Sequence, residues 1–224
     1  VAVWPDSPVR ELVVENGRVA GVRVLHDGRE VAIGARHGVL LACGGFARNL
    51  EMRRQHSRQP ASTDWTFANP GETGDAVQMA IGLGAATDLM DEGVWIPMTI
   101  SPLGPLYVEY ERGKPHSLLV DGEGRRYVDE GSNYMSFGQT IFDHHAKARA
   151  IPSWLILESR HRNHYFFAGQ FPGRTPGEWI QSGFVKRADT LEGLAAACGI
   201  DAAALTQTVR RFNGFAATGV DADF

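Results

Sequence analysis

The sequence predicts an α+β protein in two parts. A β-meander, a buried strand and a helix fill residues 1–93, and short strands mixed with helices fill residues 94–224. Three observations predict it. The turn dipeptides Asn16-Gly17 and Asp27-Gly28 separate β-branched runs near the start. The run from Gly38 to Cys43 is apolar throughout, as suits a strand covered on both faces. The last third sets apolar residues at helical spacing behind capping residues.

Each element has its own signal. Leu12-Val13-Val14 and Val19 to Leu25 flank Asn16-Gly17, the preferred type I′ turn because both central residues need positive φ. Asp27-Gly28 turns the chain again into Glu30 to Ile33. Gly74 to Leu83 reads as a helix with Ala76, Val77, Ala80 and Ile81 on one face and Thr73 or Asp75 at its start. Residues 94–115 are rich in Pro and Gly and read as irregular. His116 to Val120 and Arg126 to Val128 read as two strands around the turn Asp121-Gly122-Glu123-Gly124. A helix is expected over Phe137 to Ala150 and a strand over Trp154 to Leu157. Asp189 and Glu192 resemble a capping box before Leu191, Leu194, Ala195 and Cys198, with Gly199 as the stop. Asp201 then caps a helix carrying Leu205, Val209 and Phe212 on one face.

Bulk properties exclude several classes. The 224 residues suffice for one large domain or two small ones. Net charge is −4, so no nucleic acid partner is expected. The two cysteines, Cys43 and Cys198, build no disulfide framework and suit a reducing cytoplasm. No apolar run reaches the roughly 18 residues of a membrane span. The chain opens inside what reads as a strand, Val1 to Trp4, without an initiator Met, and stops at Asp221-Ala222-Asp223-Phe224 without a cap. An internal fragment of a longer protein is expected.

Four patches carry chemical possibilities. Leu41-Ala42-Cys43-Gly44-Gly45-Phe46 ends an apolar run in two glycines. Loss of two β-carbons lets a dinucleotide approach the carboxyl end of a strand, or simply permits a tight turn. Asn69-Pro70-Gly71-Glu72-Thr73-Gly74-Asp75 feeds a helix. Asp75 there repels phosphate and suits a hydroxyl-rich chain, or the segment only caps the helix. His144-His145 and His161 to His164 lack acidic or cysteine partners at metal-site spacing, so loop or surface histidines and no metal are expected. Tyr134 stands in Glu130-Gly131-Ser132-Asn133-Tyr134-Met135-Ser136-Phe137-Gly138. Free tyrosine titrates near about 10, so it serves as a base only where a site stabilises its phenolate. Otherwise it is a packed tyrosine with a hydrogen-bonded hydroxyl.

Together these patches resemble one family. Val19-Ala20-Gly21-Val22, the Leu41 to Asn49 run, Thr73-Gly74-Asp75 and Gly84-Ala85 are similar to the flavin-binding fold of the fumarate reductase and 3-ketosteroid dehydrogenase superfamily. The stretch from Met90-Asp91 resembles its substrate-capping domain, and Glu130 to Gly138 resembles the ketosteroid Δ1-dehydrogenase loop that carries a catalytic tyrosine. Arg211 to Phe215 and Thr218 to Phe224 extend the likeness. The resemblance implies a flavin-binding part over 1–93 and a capping part over 94–224. It implies Tyr134 as the catalytic base. Val9 would lie at the adenine end, with Ala42, Cys43, Gly44 and Gly45 along the dinucleotide. Thr73, Gly74 and Asp75 would lie near the flavin's sugar-like chain.

The implied reaction desaturates a CH–CH bond beside a ketone, with a small apolar steroid as substrate and FAD as hydride acceptor. A Δ4-(5α)-ketosteroid dehydrogenase, a fumarate-reductase-like enzyme and a non-catalytic ligand-binding domain are the alternatives. Trp95-Ile96-Pro97-Met98-Thr99 and Asn133-Tyr134 replace the histidine and arginine of the fumarate reductases, which disfavours a dicarboxylate. No Gly-x-Gly-x-x-Gly occurs, so this segment alone is expected to hold no FAD. Self-association through apolar surface is also expected.

Overall fold

A computed structural model describes all residues from Val1 to Phe224. The chain divides into two compact units: Val1–Ser57 with Ala68–Met90, and Arg58–Phe67 with Asp91–Phe224.

The first unit is built on an antiparallel sheet of β1 (Val9–Glu15), β2 (Arg18–His26) and β3 (Arg29–Gly34) in that order. Its turns have the expected chemistry. Asn16 and Gly17 lie at φ 51° and 74°, and Asp27 and Gly28 at 49° and 74°. Gly21 in β2 faces Ile33 of β3 so closely that a β-carbon would overlap the Ile33 carbonyl oxygen. Helix α1 (Leu50–His56) is capped by Asn49, whose side chain accepts from the Met52 amide. Helix α2 (Asp75–Gly82) starts on Gly74 at φ 81°, not on a Thr73 or Asp75 side chain. A β-carbon at Gly74 would overlap Met52 Sδ and stand 2.8 Å from Phe46 Cβ, so only glycine fits there.

The apolar run Gly38 to Cys43 departs from expectation. It lies in no strand, Leu40 is 89% exposed, and Cys43 is exposed rather than buried. A strand exists only by pairing its N–H and C=O groups, and no strand of this chain pairs with it.

The second unit begins with a hairpin, β4 (Met98–Ser101) and β5 (Gly104–Tyr107), inside the stretch expected to be irregular. Strand β6 (Ser117–Val120) is buried at every position and pairs with β7 (Trp154–Leu157). Helix α3 (Tyr134–His145) lies between them in sequence. Then follow α4 (Ser159–His164), α5 (Gly177–Gln181), α6 (Leu191–Cys198) and α7 (Ala202–Thr218).

The expected strand Arg126 to Val128 does not form, although its turn does: the Asp121 amide donates to the Arg125 carbonyl at 3.0 Å. Beyond that turn, the Leu119 amide donates to the Glu130 carboxylate at 2.8 Å. A side chain takes the donor that a neighbouring strand would have taken.

Leu118 and Val120 of β6 pack with Ala195, Ile200 and Leu205 in one core cluster, and Leu119, Val128 and Phe137 form another. Thr190, not Asp189, caps α6 by accepting from the Gly193 amide at 3.0 Å, and Gly199 closes it at φ 66°. Asp201 caps α7 as expected, accepting from Ala204 at 2.6 Å. No helix is long and apolar enough to cross a membrane.

Candidate functional site

In the first unit two of the singled-out motifs meet. The Arg48 amide donates to the Glu72 carbonyl at 2.9 Å, and Asn49 Nδ2 donates to the Thr73 carbonyl at 2.9 Å. Gly44 lies at φ 75°, and a β-carbon there would stand 3.0 Å from Glu72 Cγ. Ala42, Cys43, Gly44 and Gly45 are all exposed, as is Asp75 at the start of α2, while Thr73 is half-buried and Gly74 buried. The result is a strip of accessible backbone with almost no side chain, running toward a helix start that carries a free-standing carboxylate. Such a strip fits a dinucleotide laid along it, and the carboxylate fits a hydroxyl-bearing chain. Val9 pairs with Val24 on the meander, and no hydrogen bond or ring contact joins its side chain to this strip.

In the second unit Tyr134 is the first residue of α3 and is 41% exposed. The loop that presents it is held at several points. Asp129 accepts from the Gly131 amide at 2.7 Å through its side chain and from Ser132 Oγ at 2.7 Å through its carbonyl. Asn133 caps the helix, accepting from the Ser136 amide at 3.0 Å and donating to Ser136 Oγ at 2.9 Å. Phe137, one turn on, is 1% exposed and anchors the helix face below Tyr134.

Glu130 is buried and carries a bidentate pair with Arg126, which donates from Nε to Oε1 at 3.1 Å and from Nη2 to Oε2 at 2.6 Å. Burial alone would lower the Arg126 pKa, but its bonds to Glu130 and Asp221 leave it raised. Further along α3, Glu92 accepts from Gln139 at 3.1 Å and from Arg58 at 2.8 Å. The Arg58 guanidinium, with Gln139, holds the Glu92 carboxyl below the ordinary range.

The histidines serve structure. His144 Nε2 lies 2.9 Å from the buried Asp121 carboxylate, and its ring stacks on Tyr127 at 4.2 Å. Burial pushes the Tyr127 phenol up to about 12, although its bond to Ser153 opposes this. His145 Nδ1 accepts from the Ala150 and Ile151 amides at 3.1 and 3.0 Å. His161 is fully buried, contrary to the loop or surface position expected from sequence, because it sits on the inner face of the short helix α4. No group of three His, Cys, Asp or Glu side chains is placed to hold a metal.

Sequence reasoning missed one partner of this loop. Arg112, 3% exposed, lies in a Glu-Arg-Gly-Lys stretch with no periodic or motif signal, and nothing in that stretch marks it as buried.

The fold is of the mixed helix-and-strand class. The chain belongs to the FAD binding domain family, which matches residues 1–224. It is 42% identical over its whole length to the 3-oxosteroid 1-dehydrogenase of Mycobacterium tuberculosis, of which it covers 42%. Among solved structures it matches the 3-ketosteroid Δ1-dehydrogenase of Sterolibacterium denitrificans in complex with 1,4-androstadiene-3,17-dione, with TM-score 0.91 and 36% identity over 97% of this chain and 41% of that one. It also matches the 3-ketosteroid Δ4-(5α)-dehydrogenase of Rhodococcus jostii in complex with 4-androstene-3,17-dione, with TM-score 0.70 and 30% identity over 97% and 41%. The chain thus spans about two fifths of the length of the relatives it matches.

Proposed function

We propose that the protein to which this chain belongs is an FAD-dependent dehydrogenase that desaturates a CH–CH bond next to a ketone, with a 3-ketosteroid as substrate and the Δ1 position as its target. The observation that carries this reading is Tyr134: an exposed phenol that follows a hydrogen-bonded loop, in a chain 42% identical to a 3-oxosteroid 1-dehydrogenase. The higher TM-score to the Δ1 than to the Δ4-(5α) enzyme, 0.91 against 0.70, favours the Δ1 position.

In this reading residues 1–93 contribute to the cofactor site and residues 94–224 to the substrate site. Ala42, Cys43, Gly44 and Gly45 hold the dinucleotide through backbone. Thr73, Gly74 and Asp75 meet the flavin's hydroxylated chain, and Val9 lies toward the adenine. When bound, FAD supplies the acceptor for the hydride that leaves the substrate. Tyr134 does the protein's share of the chemistry. The carbonyl acidifies the C–H beside it, and the phenolate oxygen of Tyr134 takes that proton as the carbon–carbon double bond forms.

The test is anaerobic flavin bleaching by a Δ4-3-ketosteroid in the full-length protein. Tyr134→Phe is expected to slow bleaching by about 100-fold to 10,000-fold while steroid binding persists. Bleaching only by a 5α-saturated ketone would move the assignment to the Δ4-(5α) reaction. Wild-type bleaching in Tyr134→Phe would remove Tyr134 from the mechanism.

A further inference from the structure

The loop ahead of Tyr134 is gripped by a second buried arginine. Arg112 donates through Nη1 to the Glu130 carbonyl and through Nη2 to the Ser132 carbonyl at 2.6 Å. Its guanidinium is itself aimed by Glu109, which accepts from Nη2 at 2.9 Å and from Nε at 3.3 Å. The guanidinium carbon stands 4.0 Å from the centroid of the Phe137 ring, so the cation also packs on the first turn of α3. Arg126 meanwhile holds the carboxylate of the same Glu130. The two arginines therefore fix one residue at both ends, its carbonyl and its side chain, four positions before Tyr134.

We propose that Arg112 is a positioning residue for Tyr134. It sets the path of Glu130 to Ser132, and through it the direction in which the tyrosine leaves the helix. The proposal rests on the reading of Tyr134 as the base.

The physics favours a role beyond simple stability. A planar fork satisfies two carbonyls two residues apart at fixed angles, which the compact ammonium of lysine cannot reproduce. Burying a guanidinium is costly, and a loop needing only a filled space would do as well with an apolar side chain. Proton transfer tolerates little error in donor–acceptor distance, so a residue that fixes the path of the loop acts on rate more than on affinity.

The experiment uses the flavin-loaded full-length protein and compares Arg112→Lys, Arg112→Met and the milder Glu109→Gln, which loosens the aim of Arg112 without removing it. Three quantities are read: the rate of flavin bleaching per bound flavin, the steroid dissociation constant from the flavin spectrum, and amide exchange over Gly131 to Phe137. The expected result is bleaching slowed by about 10-fold to 100-fold in Arg112→Lys. Steroid affinity stays unchanged, and exchange rises in the loop. Arg112→Lys combined with Tyr134→Phe should be no slower than Tyr134→Phe alone, because a misplaced base costs nothing once the base is gone. Unchanged bleaching per flavin in Arg112→Lys and Glu109→Gln, with Tyr134→Phe inactive, overturns the positioning role alone. Wild-type bleaching in Tyr134→Phe overturns both readings together.

Discussion

Gly138 lies against Trp95 so closely that a β-carbon on the glycine would overlap the Cβ of the tryptophan and sit 3.4 Å from its Cα. Trp95 is held there by a bond from its amide to Met135 Sδ at 3.4 Å and by an edge-on contact with Phe142 at 4.8 Å. The contact fixes the flank of α3 one turn beyond Tyr134.

On helix propensity alone, Gly138→Ala gains about 1 kcal/mol. The overlap with Trp95 reverses the sign, since forcing a methyl into a filled space costs about 1–3 kcal/mol. Thermal melts of the full-length protein are expected to show Gly138→Ala less stable than wild type. A stabilised variant would mean that Trp95 moves away at no cost.

Asn133 is the N-cap of α3, with its side chain bonded to both the amide and the hydroxyl of Ser136. Asn133→Ala is expected to cost about 1 kcal/mol. Asn133→Asp or Asn133→Ser should recover most of it, because either keeps an oxygen for the Ser136 amide. Urea midpoints of the three variants check this order.

Local chemistry was legible in the sequence, and partners distant in the chain were not. The Asn16-Gly17 and Asp27-Gly28 turns take the φ values their residue types demand, and β7 runs from Trp154 to Leu157 as its apolar run implies. The failures share one cause. Gly38 to Cys43 has the composition of a covered strand but has no strand beside it in this chain, and composition cannot supply the neighbour. Arg126 to Val128 follows a hairpin turn as a strand would, but the Glu130 carboxylate takes the Leu119 amide. Tyr134 was visible as a motif. Arg112 was not, because an arginine that turns inward to cap carbonyls 18 and 20 residues away looks like any surface arginine until the chain folds.

Gly74 combines a left-handed backbone with contact on Met52 and Phe46. Gly74→Ala therefore faces two separate costs: about 1–2 kcal/mol for positive φ and about 1–3 kcal/mol for overlap. Adding Met52→Ala should relieve only the part of the overlap that falls on Met52, leaves the contact with Phe46 Cβ, and would open a gap of its own. The double variant is expected to remain less stable than Met52→Ala alone by the conformational cost and the remaining contact with Phe46. Equal stability of those two would show that the backbone conformation and the Phe46 contact both adjust without cost.

His161 is buried without a partner for Nδ1, and Nε2 lies 3.3 Å from the Glu111 carbonyl. Burial, aided by the nearby charges of Arg162 and His116, pushes its pKa below the ordinary value. The unfolded chain then binds the proton more readily than the folded one. Stability from neutral His161 is full above the unfolded value near about 6.5 and falls as pH drops through the window beneath it. Melts from pH 8 down to about 5 should show this loss, and His161→Gln, though less stable at pH 8, should show a flatter profile. A slope unchanged by the substitution would assign it to another group.

Asp121 works at the other end of the scale. It is 1% exposed, and its Oδ1 accepts from the Glu123 and Arg125 amides at 2.9 and 3.0 Å, while Oδ2 faces His144 Nε2 at 2.9 Å. Burial raises its pKa, but the bonds from His144 and the two amides outweigh burial and leave it lowered. A depressed carboxyl contributes stability that is complete above the unfolded value near about 3.9 and is lost as pH falls through the folded one. Asp121→Ala strands three groups at once and is expected to cost about 3 kcal/mol at neutral pH. Asp121→Asn keeps one oxygen for both amides and exchanges only the His144 contact, so it should cost less and should flatten the loss below about pH 4. Denaturant midpoints at neutral and acid pH separate the two variants. If asparagine proves as costly as alanine, the bond to His144 rather than the turn amides holds the end of β6 in place.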